Sequence, residues 1–262
     1  MDISIIGCGT MGKGIATVLS KGNKLLLCDH HQGRAATLAQ EIGATAAKNA
    51  TEAVQKSELV ILAVKPQDFS NISREIKSTL NGDKTIVSIL AGITLSQLQD
   101  NFKPSAAVRM MPNLPLIYGK GVIGIVDDST LSEQAKGKLE TVFAPLGFVK
   151  WLPERLFNAL TALTGSGPAF AMVMIESMVD AGIAMGFDAD TAKMLVIQML
   201  EGSLTMLKET GKHPAEIKWE ITSPGGTTIA GLKAMEAAGV RSGIINTFLA
   251  TQARSIEMAQ GT

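Results

Sequence analysis

Apolar residues in the first half of the chain come in short unbroken runs, Ile3–Ile6, Lys24–Cys28, Leu59–Val64, Thr85–Leu90, Ala107–Met110, Val122–Val126 and a last one near Phe148–Trp151. Between them lie longer stretches with helical periodicity. Strands alternating with helices in this way predict a doubly wound, mainly parallel α/β sheet of the Rossmann type. Two of the helices carry a start signal: Thr94-Leu-Ser-Gln97 and Thr130-Leu-Ser-Glu133 both match a capping box. After Pro153 the strand pattern stops. Ala, Met and Leu then recur at i, i+3, i+4 spacing, with breaks at Gly165-Ser-Gly-Pro168, Gly186-Phe-Asp188, Gly211-Lys-His-Pro214, Ser223-Pro-Gly-Gly226 and Gly239. The pattern therefore predicts a domain over 1–152 and an all-helical domain over 153–262.

One helical stretch, Gly167–Met185, is apolar on nearly every face yet carries Glu176 and Asp180. The two carboxylates argue for a buried helix rather than a membrane span. A monomer of this size has too little core to bury it, so a second subunit is expected to cover it.

Composition narrows the classes of function. With 24 basic and 24 acidic residues among 262 the formal net charge is zero, and neither sign forms a long run. Bulk electrostatic attraction to nucleic acid or to a membrane surface is not expected. The chain enters its first strand without a basic leader, so no secretory signal is expected either. Two cysteines, Cys8 and Cys28, and three histidines without CxxC or HExxH spacing support no disulfide framework and no metal site. Free thiols on or beside inner strands suit a reducing cytoplasm.

The most informative chemistry lies at the start. The first strand breaks into Gly7-Cys-Gly-Thr-Met-Gly12, a helical pattern follows over Lys13–Lys21, and Asp29 stands about 20 residues beyond the first glycine. In such a unit Gly7 makes the turn, Gly9 admits a pyrophosphate to the backbone, and Gly12 lets helix and sheet pack closely. The helix N-terminus holds the phosphates. Asp29 could accept hydrogen bonds from an unphosphorylated ribose, while His30, His31 and Arg34 could meet a 2′-phosphate.

Ala63-Val-Lys-Pro66 leaves the Leu59–Val64 strand at the sheet edge where ligands bind, though Pro66 would end a strand whatever the function. Asn113, after Arg109-Met-Met-Pro, could reach a nicotinamide amide or merely shape the Asn-Leu-Pro turn. Ser223 reads as an N-cap and Pro224 as the first helical residue, which would expose the amides of Gly225, Gly226 and Thr227 as a second anion site, sized for a carboxylate. Two glycines at a helix start are poor for a plain cap, which favours the ligand reading. Gly165-Ser-Gly-Pro168 has the same form, but close helix packing would also explain its glycines. His213 reads most simply as a cap, and Trp151 and Trp219 as packing residues.

Taken together, Gly7-Cys-Gly-Thr-Met-Gly12, Ala63-Val-Lys-Pro-Gln67, Arg109-Met-Met-Pro-Asn113, Gly165-Ser-Gly-Pro-Ala169 and Ser223-Pro-Gly-Gly-Thr-Thr-Ile229 resemble the Δ1-pyrroline-5-carboxylate reductase family, the last enzyme of proline synthesis. The resemblance covers essentially the whole chain in order, and the final motif is the most discriminating. It implies a Rossmann domain, a helical domain intertwined with a partner subunit in a homodimer, and often a larger ring of dimers. It also implies NADPH or NADH along Ile6, Gly7, Cys8, Gly9, Thr10 and Met11, near Asn49, along Ala63, Val64, Lys65 and Pro66 and along Ile89, Leu90 and Ala91, with Glu154 close by. Substrate would sit at Ser223, Gly225, Gly226, Thr227 and Thr228, with the Thr228 hydroxyl at the ring nitrogen as the catalytic contact.

The chain departs from the family pattern at Leu114, where Thr is usual, at Phe170, where Tyr is usual, and at Asp29, where NADPH-preferring members often have an uncharged polar residue. The reaction implied is hydride transfer to a cyclic imine, giving proline, which needs orientation and a hydrogen bond more than a strong acid. A β-hydroxyacid dehydrogenase fits less well, because Pro168–Met172 lacks the lysine that family places there. A non-catalytic nucleotide-sensing regulator would not need the second anion site.

Overall fold

The computed structural model describes residues 1–260. Its described residues form two compact units, Met1–Gly165 together with 252–260, and Ser166–Thr251.

The first unit is built on one eight-stranded sheet: β1 (Asp2–Ile6), β2 (Lys24–Cys28), β3 (Thr45–Ala46), β4 (Leu59–Leu62), β5 (Thr85–Ser88), β6 (Ala106–Pro112), β7 (Gly121–Val126) and β8 (Gly147–Leu152), in the order β3-β2-β1-β4-β5-β6-β7-β8. Strands β1 to β6 run parallel, β7 is antiparallel to β6, and β8 is parallel to β7. Order reverses between β1 and β4, so a crevice opens at their carboxyl ends.

The helices of this unit are α1 (Thr10–Leu19), α2 (Gln32–Ile42), α3 (Ala50–Gln55), α4 (Phe69–Ile76), α5 (Leu95–Phe102), α6 (Glu133–Phe143) and the short α7 (Phe157–Leu160). Strand periodicity sorts them onto two faces. Ile3, Ile5, Leu25, Leu27, Leu59 and Ile61 pack with α1, α2 and α6, whereas Ile6, Cys28, Val60, Leu62 and Ile86 pack with α3, α4 and α5. Buried Ser4, in the middle of β1, is satisfied by the Ser57 hydroxyl at 2.9 Å.

Seven strands stand where the apolar runs predicted them. The eighth, β3, was missed because Thr45–Ala46 is an exposed two-residue edge strand with no apolar run. The Thr94 capping box forms with both bonds in place. The one at Thr130 does not: Ser132 is the N-cap, accepting from Ala135 N, while the Thr130 hydroxyl bonds Asp128. Beyond β8 the chain stays packed on the sheet, because Phe157 and Leu160 form a small core with Leu95, Met111 and Val126.

The second unit is helical: α8 (Gly167–Ala184), α9 (Ala189–Thr210), α10 (Pro214–Glu220) and α11 (Thr227–Ala237), followed by α12 (Val240–Gln260), whose last residues cluster with the first unit. A π-helical segment, Thr161–Ser166, precedes α8. The α8–α9 hairpin turns at Gly186, where φ is +103°, and closes tightly because Gly182 lets Ala192 approach. His213 caps α10, its Nδ1 accepting from Ala215 N.

As its apolar pattern predicts, Gly167–Met185 is not covered within the single chain: Gly182 is the one buried residue of α8 and Met172 is 60% exposed. Apolar residues of α9, among them Met194 and Leu195, are exposed as well. By length and composition alone the helical run Glu154–Ala184 could cross a membrane. Trp219 is likewise exposed in the single chain, whereas Trp151 packs in β8 with its Nε1 donating to Glu140 Oε1.

Candidate active site

The glycine loop lies at the β1/β4 switch point. Gly7 turns the chain with φ +102° and donates its amide to Cys28 O at 2.7 Å. A side chain there would come within 2.5 Å of Ala63 O, and one on Gly12 would collide with Gly7 O. The helix starts earlier than Lys13, at Thr10, with Gly9 as its N-cap and the first helical bond running from Lys13 N to Gly9 O. No side chain caps it, so the amides of Thr10, Met11 and Gly12 lack helical partners. Nothing stands within 4 Å of where a Cβ on Gly9 would lie. Free amides and open space at Gly9 fit a dinucleotide pyrophosphate.

Two spaces share this loop. A cavity of about 420 Å³ is lined by Ile6, Gly7, Asp29, Asn49 and Val64, and by Lys48, Asn71 and Glu75, which the sequence reading missed. The pattern held one hint, a polar Lys-Asn pair before α3: Asn49 is its N-cap, accepting from Glu52 N, and Glu75 accepts from Ala50 N. A more open groove runs along Cys8, Gly9, Thr10, Lys13, Arg34 and Leu114. Lys65 and Pro66 are exposed where β4 gives way to a 3-10 turn. Ile89 is held at the same edge by its amide on Leu62 O, Leu90 turns into the core, and Ala91 is exposed.

Asp29 is buried, with its carboxylate accepting from Cys8 N and His31 N. Burial pushes its pKa up, but these two amides, then the charges of Arg34 and His30, outweigh burial and leave it lowered. Burial pushes Cys8 up to about 12, with Asp29 adding to the effect, and pushes Cys28 up to about 11, with Glu75 and Asp29 adding. Both thiols are free and protonated at neutral pH, so neither is a nucleophile.

Both ends of the Asn113 side-chain amide are engaged with backbone. Its Nδ2 donates to Thr164 O at 2.8 Å and its Oδ1 accepts from Val122 N at 2.7 Å, so the buried amide shapes the turn and the nicotinamide reading is withdrawn. Glu154 accepts from Arg109 Nη1 at 2.7 Å and from Leu95 N at 2.8 Å, tying the start of α5 to the segment after β8. That pairing, with Arg109 stacked 5.0 Å over Phe157, was not legible in the sequence.

In the second unit Ser223 is not the N-cap of α11. Ser223–Gly226 forms a turn closed by Gly226 N donating to Ser223 O at 3.1 Å, with Gly225 at φ +69°. Pro followed by a positive-φ glycine is the type II pattern, and it displaces the helix start to Gly226. A side chain on Gly226 would require the Ser223 hydroxyl to rotate away. Gly226 N is taken by the turn, and the amides left without helical partners are those of Thr227, Thr228 and Ile229, since no side chain caps α11. Thr227 is exposed and Thr228 half-buried.

A sheet that presents a glycine loop and an uncapped helix start at its switch point, joined to a helical unit, defines a dinucleotide-binding oxidoreductase of the Rossmann type. A family model described as pyrroline-5-carboxylate reductase dimerisation matches residues 154–258, and one described as NADP oxidoreductase coenzyme F420-dependent matches residues 2–92. Over 265 residues the chain is 34% identical to the pyrroline-5-carboxylate reductase of Synechocystis sp., covering 99% of each. The crystal structure of Plasmodium falciparum pyrroline carboxylate reductase with NADP bound is similar, with a TM-score of 0.86 at 25% identity over 99% of this chain and 98% of that one. So is the enzyme of Coxiella burnetii, with a TM-score of 0.88 at 26% identity over 97% of both. The chain belongs to the pyrroline-5-carboxylate reductase family.

Proposed function

We infer that the protein reduces Δ1-pyrroline-5-carboxylate to L-proline with NADPH or NADH, the final step of proline biosynthesis. The observation that carries this reading is the start of α11. Uncapped amides at Thr227–Ile229 and the Thr228 hydroxyl offer one site for a carboxylate and one for a ring nitrogen, in a chain whose first unit already holds a dinucleotide loop. The bound nicotinamide supplies the hydride. The chain's own part is to hold and orient: Thr227, Thr228 and Ile229 amides on the carboxylate, Ser223, Gly225 and Gly226 shaping the turn, and the Thr228 hydroxyl on the imine nitrogen.

For the cofactor we assign Ile6–Met11, Asn49, Ala63–Pro66, Ile89–Ala91 and Glu154. Support comes from the shared sheet edge for Ile6–Met11, Ala63–Pro66 and Ile89–Ala91, from the cavity lining for Asn49 and from resemblance alone for Glu154. The working division is a nucleotide domain over 1–152 and a substrate-binding and dimerisation domain over 153–262, supported by the start of the dimerisation match at Glu154. The exposed apolar faces of α8 and α9 are covered by a second copy in a homodimer, and dimers assemble further into a ring. Glu176 and Asp180 favour protein over lipid on α8. Two free buried thiols suit the cytoplasm. Parallel assays of NADPH and NADH oxidation with pyrroline-5-carboxylate test the reading: proline should form as cofactor is consumed, and cofactor binding without turnover would overturn it.

A further inference from the structure

Asp29 occupies the position of the acidic residue that reads a ribose in many dinucleotide folds, but its surroundings assign it other work. Its side chain is 2% exposed. Oδ2 accepts the Cys8 amide at 2.7 Å and Oδ1 the His31 amide at 2.9 Å. A carboxylate has lone pairs beyond these two bonds, but a ribose cannot reach them through so little surface. The whole residue is 7% exposed, so what Asp29 shows the cavity is mainly backbone. Cys8 lies between Gly7 and Gly9, and holding its amide holds the loop that meets the pyrophosphate.

The Asp29 charge is matched from outside. Arg34 Nη1 lies 3.5 Å from Oδ2 and His30 Nδ1 lies 3.3 Å from Oδ1. Arg34 is half exposed and lines the open groove with Cys8, Gly9 and Thr10, whereas His30 lines the cavity instead. A guanidinium is permanently charged and its fork of donors matches a phosphate.

We propose that Asp29 is a positioning residue: it fixes the phosphate loop through the Cys8 amide, serves NADH and NADPH alike, and leaves the choice between them to the Arg34 guanidinium. This rests on the dinucleotide reading above and replaces the expectation, drawn from spacing, that Asp29 accepts hydrogen bonds from an unphosphorylated ribose.

The test is calorimetric binding of NADH and NADPH to the assembled parent, D29N and R34Q, with thermal melts of each. In D29N an amide hydrogen faces one of the two backbone N–H groups. Both dissociation constants should rise about tenfold, with their ratio unchanged within about twofold. R34Q should weaken NADPH by about tenfold or more and NADH by less than about twofold. A D29N ratio shifted toward NADPH by about fivefold or more would overturn the proposal, because Asp29 would then read the ribose. So would D29N melting lower with both constants unchanged, the mark of a purely structural role. Should D29N not fold, an unchanged ratio in R34Q overturns the proposal and a lost NADPH preference supports it. A parent that binds neither cofactor would instead sink the dinucleotide reading itself.

Discussion

Thr228→Ala removes one hydroxyl and one methyl group at the second position of α11. No described residue hydrogen-bonds that hydroxyl, the helix start is uncapped, and the residue is half-buried. Alanine is also the better helix former, so stability should move by no more than about 0.5 kcal/mol. The whole effect therefore falls on the bound imine. A hydrogen bond to a group that is charged when protonated contributes roughly 1.5–3 kcal/mol in a site from which water is excluded, which corresponds to about ten- to a hundredfold in rate. Steady-state kinetics with pyrroline-5-carboxylate should show kcat/KM lowered by about that factor, with cofactor dissociation constants unchanged because the first unit holds the nucleotide. Thr228→Ser keeps the hydroxyl and should keep most of the activity. Thr227→Ala, on the exposed neighbour, should cost less than Thr228→Ala. A Thr228→Ala enzyme as active as the parent, or one defective only in cofactor binding, would refute the assignment.

Four further outcomes are expected. Asn113→Ala strands the Val122 amide and the Thr164 carbonyl, and should cost about 2–4 kcal/mol in urea unfolding, with NADPH affinity little changed in the folded fraction. Because the folded pKa of Asp29 is lowered, its ionised form stabilises the protein above the unfolded value of about 3.9 and loses that contribution as pH falls through the folded value. The difference in unfolding free energy between parent and D29N should thus be constant at neutral pH and shrink in acid; a difference that grows in acid would contradict the bonding at Asp29. Cys8 and Cys28, held protonated by burial, should resist iodoacetamide at pH 8 in the native state and react once the protein is unfolded. Sedimentation should find no compact monomer at micromolar concentration, since α8 and α9 expose too much apolar surface to stand alone.

Periodicity carried most of the fold because the inner strands are buried on both faces and so appear as unbroken apolar runs. β3 lies at the edge, exposed and two residues long, and leaves no such trace. Local motifs were legible where the chemistry is local: the Gly7–Gly12 turn and the His213 cap stand as read. They misled where a neighbouring bond competes. Asp128 takes the Thr130 hydroxyl, and the Pro224-Gly225 turn takes Ser223 away from the helix start. Contacts between distant positions were out of reach: Asn113 with Thr164, Arg109 with Glu154, and Asp29 with Cys8 depend on which strand ends meet. The exposure of α8 in the single chain was legible, because a helix apolar on nearly every face needs more cover than one chain of this size supplies.

Hydride transfer from a nicotinamide to the imine carbon of pyrroline-5-carboxylate is the step on which the function turns. Turnover with NADPH deuterated at the transferred position of the ring, followed by mass spectrometry of the product, tests it directly. L-proline carrying deuterium at C5 is the expected product. Cofactor oxidised without labelled proline, or pyrroline-5-carboxylate left unchanged beside bound cofactor, would contradict it.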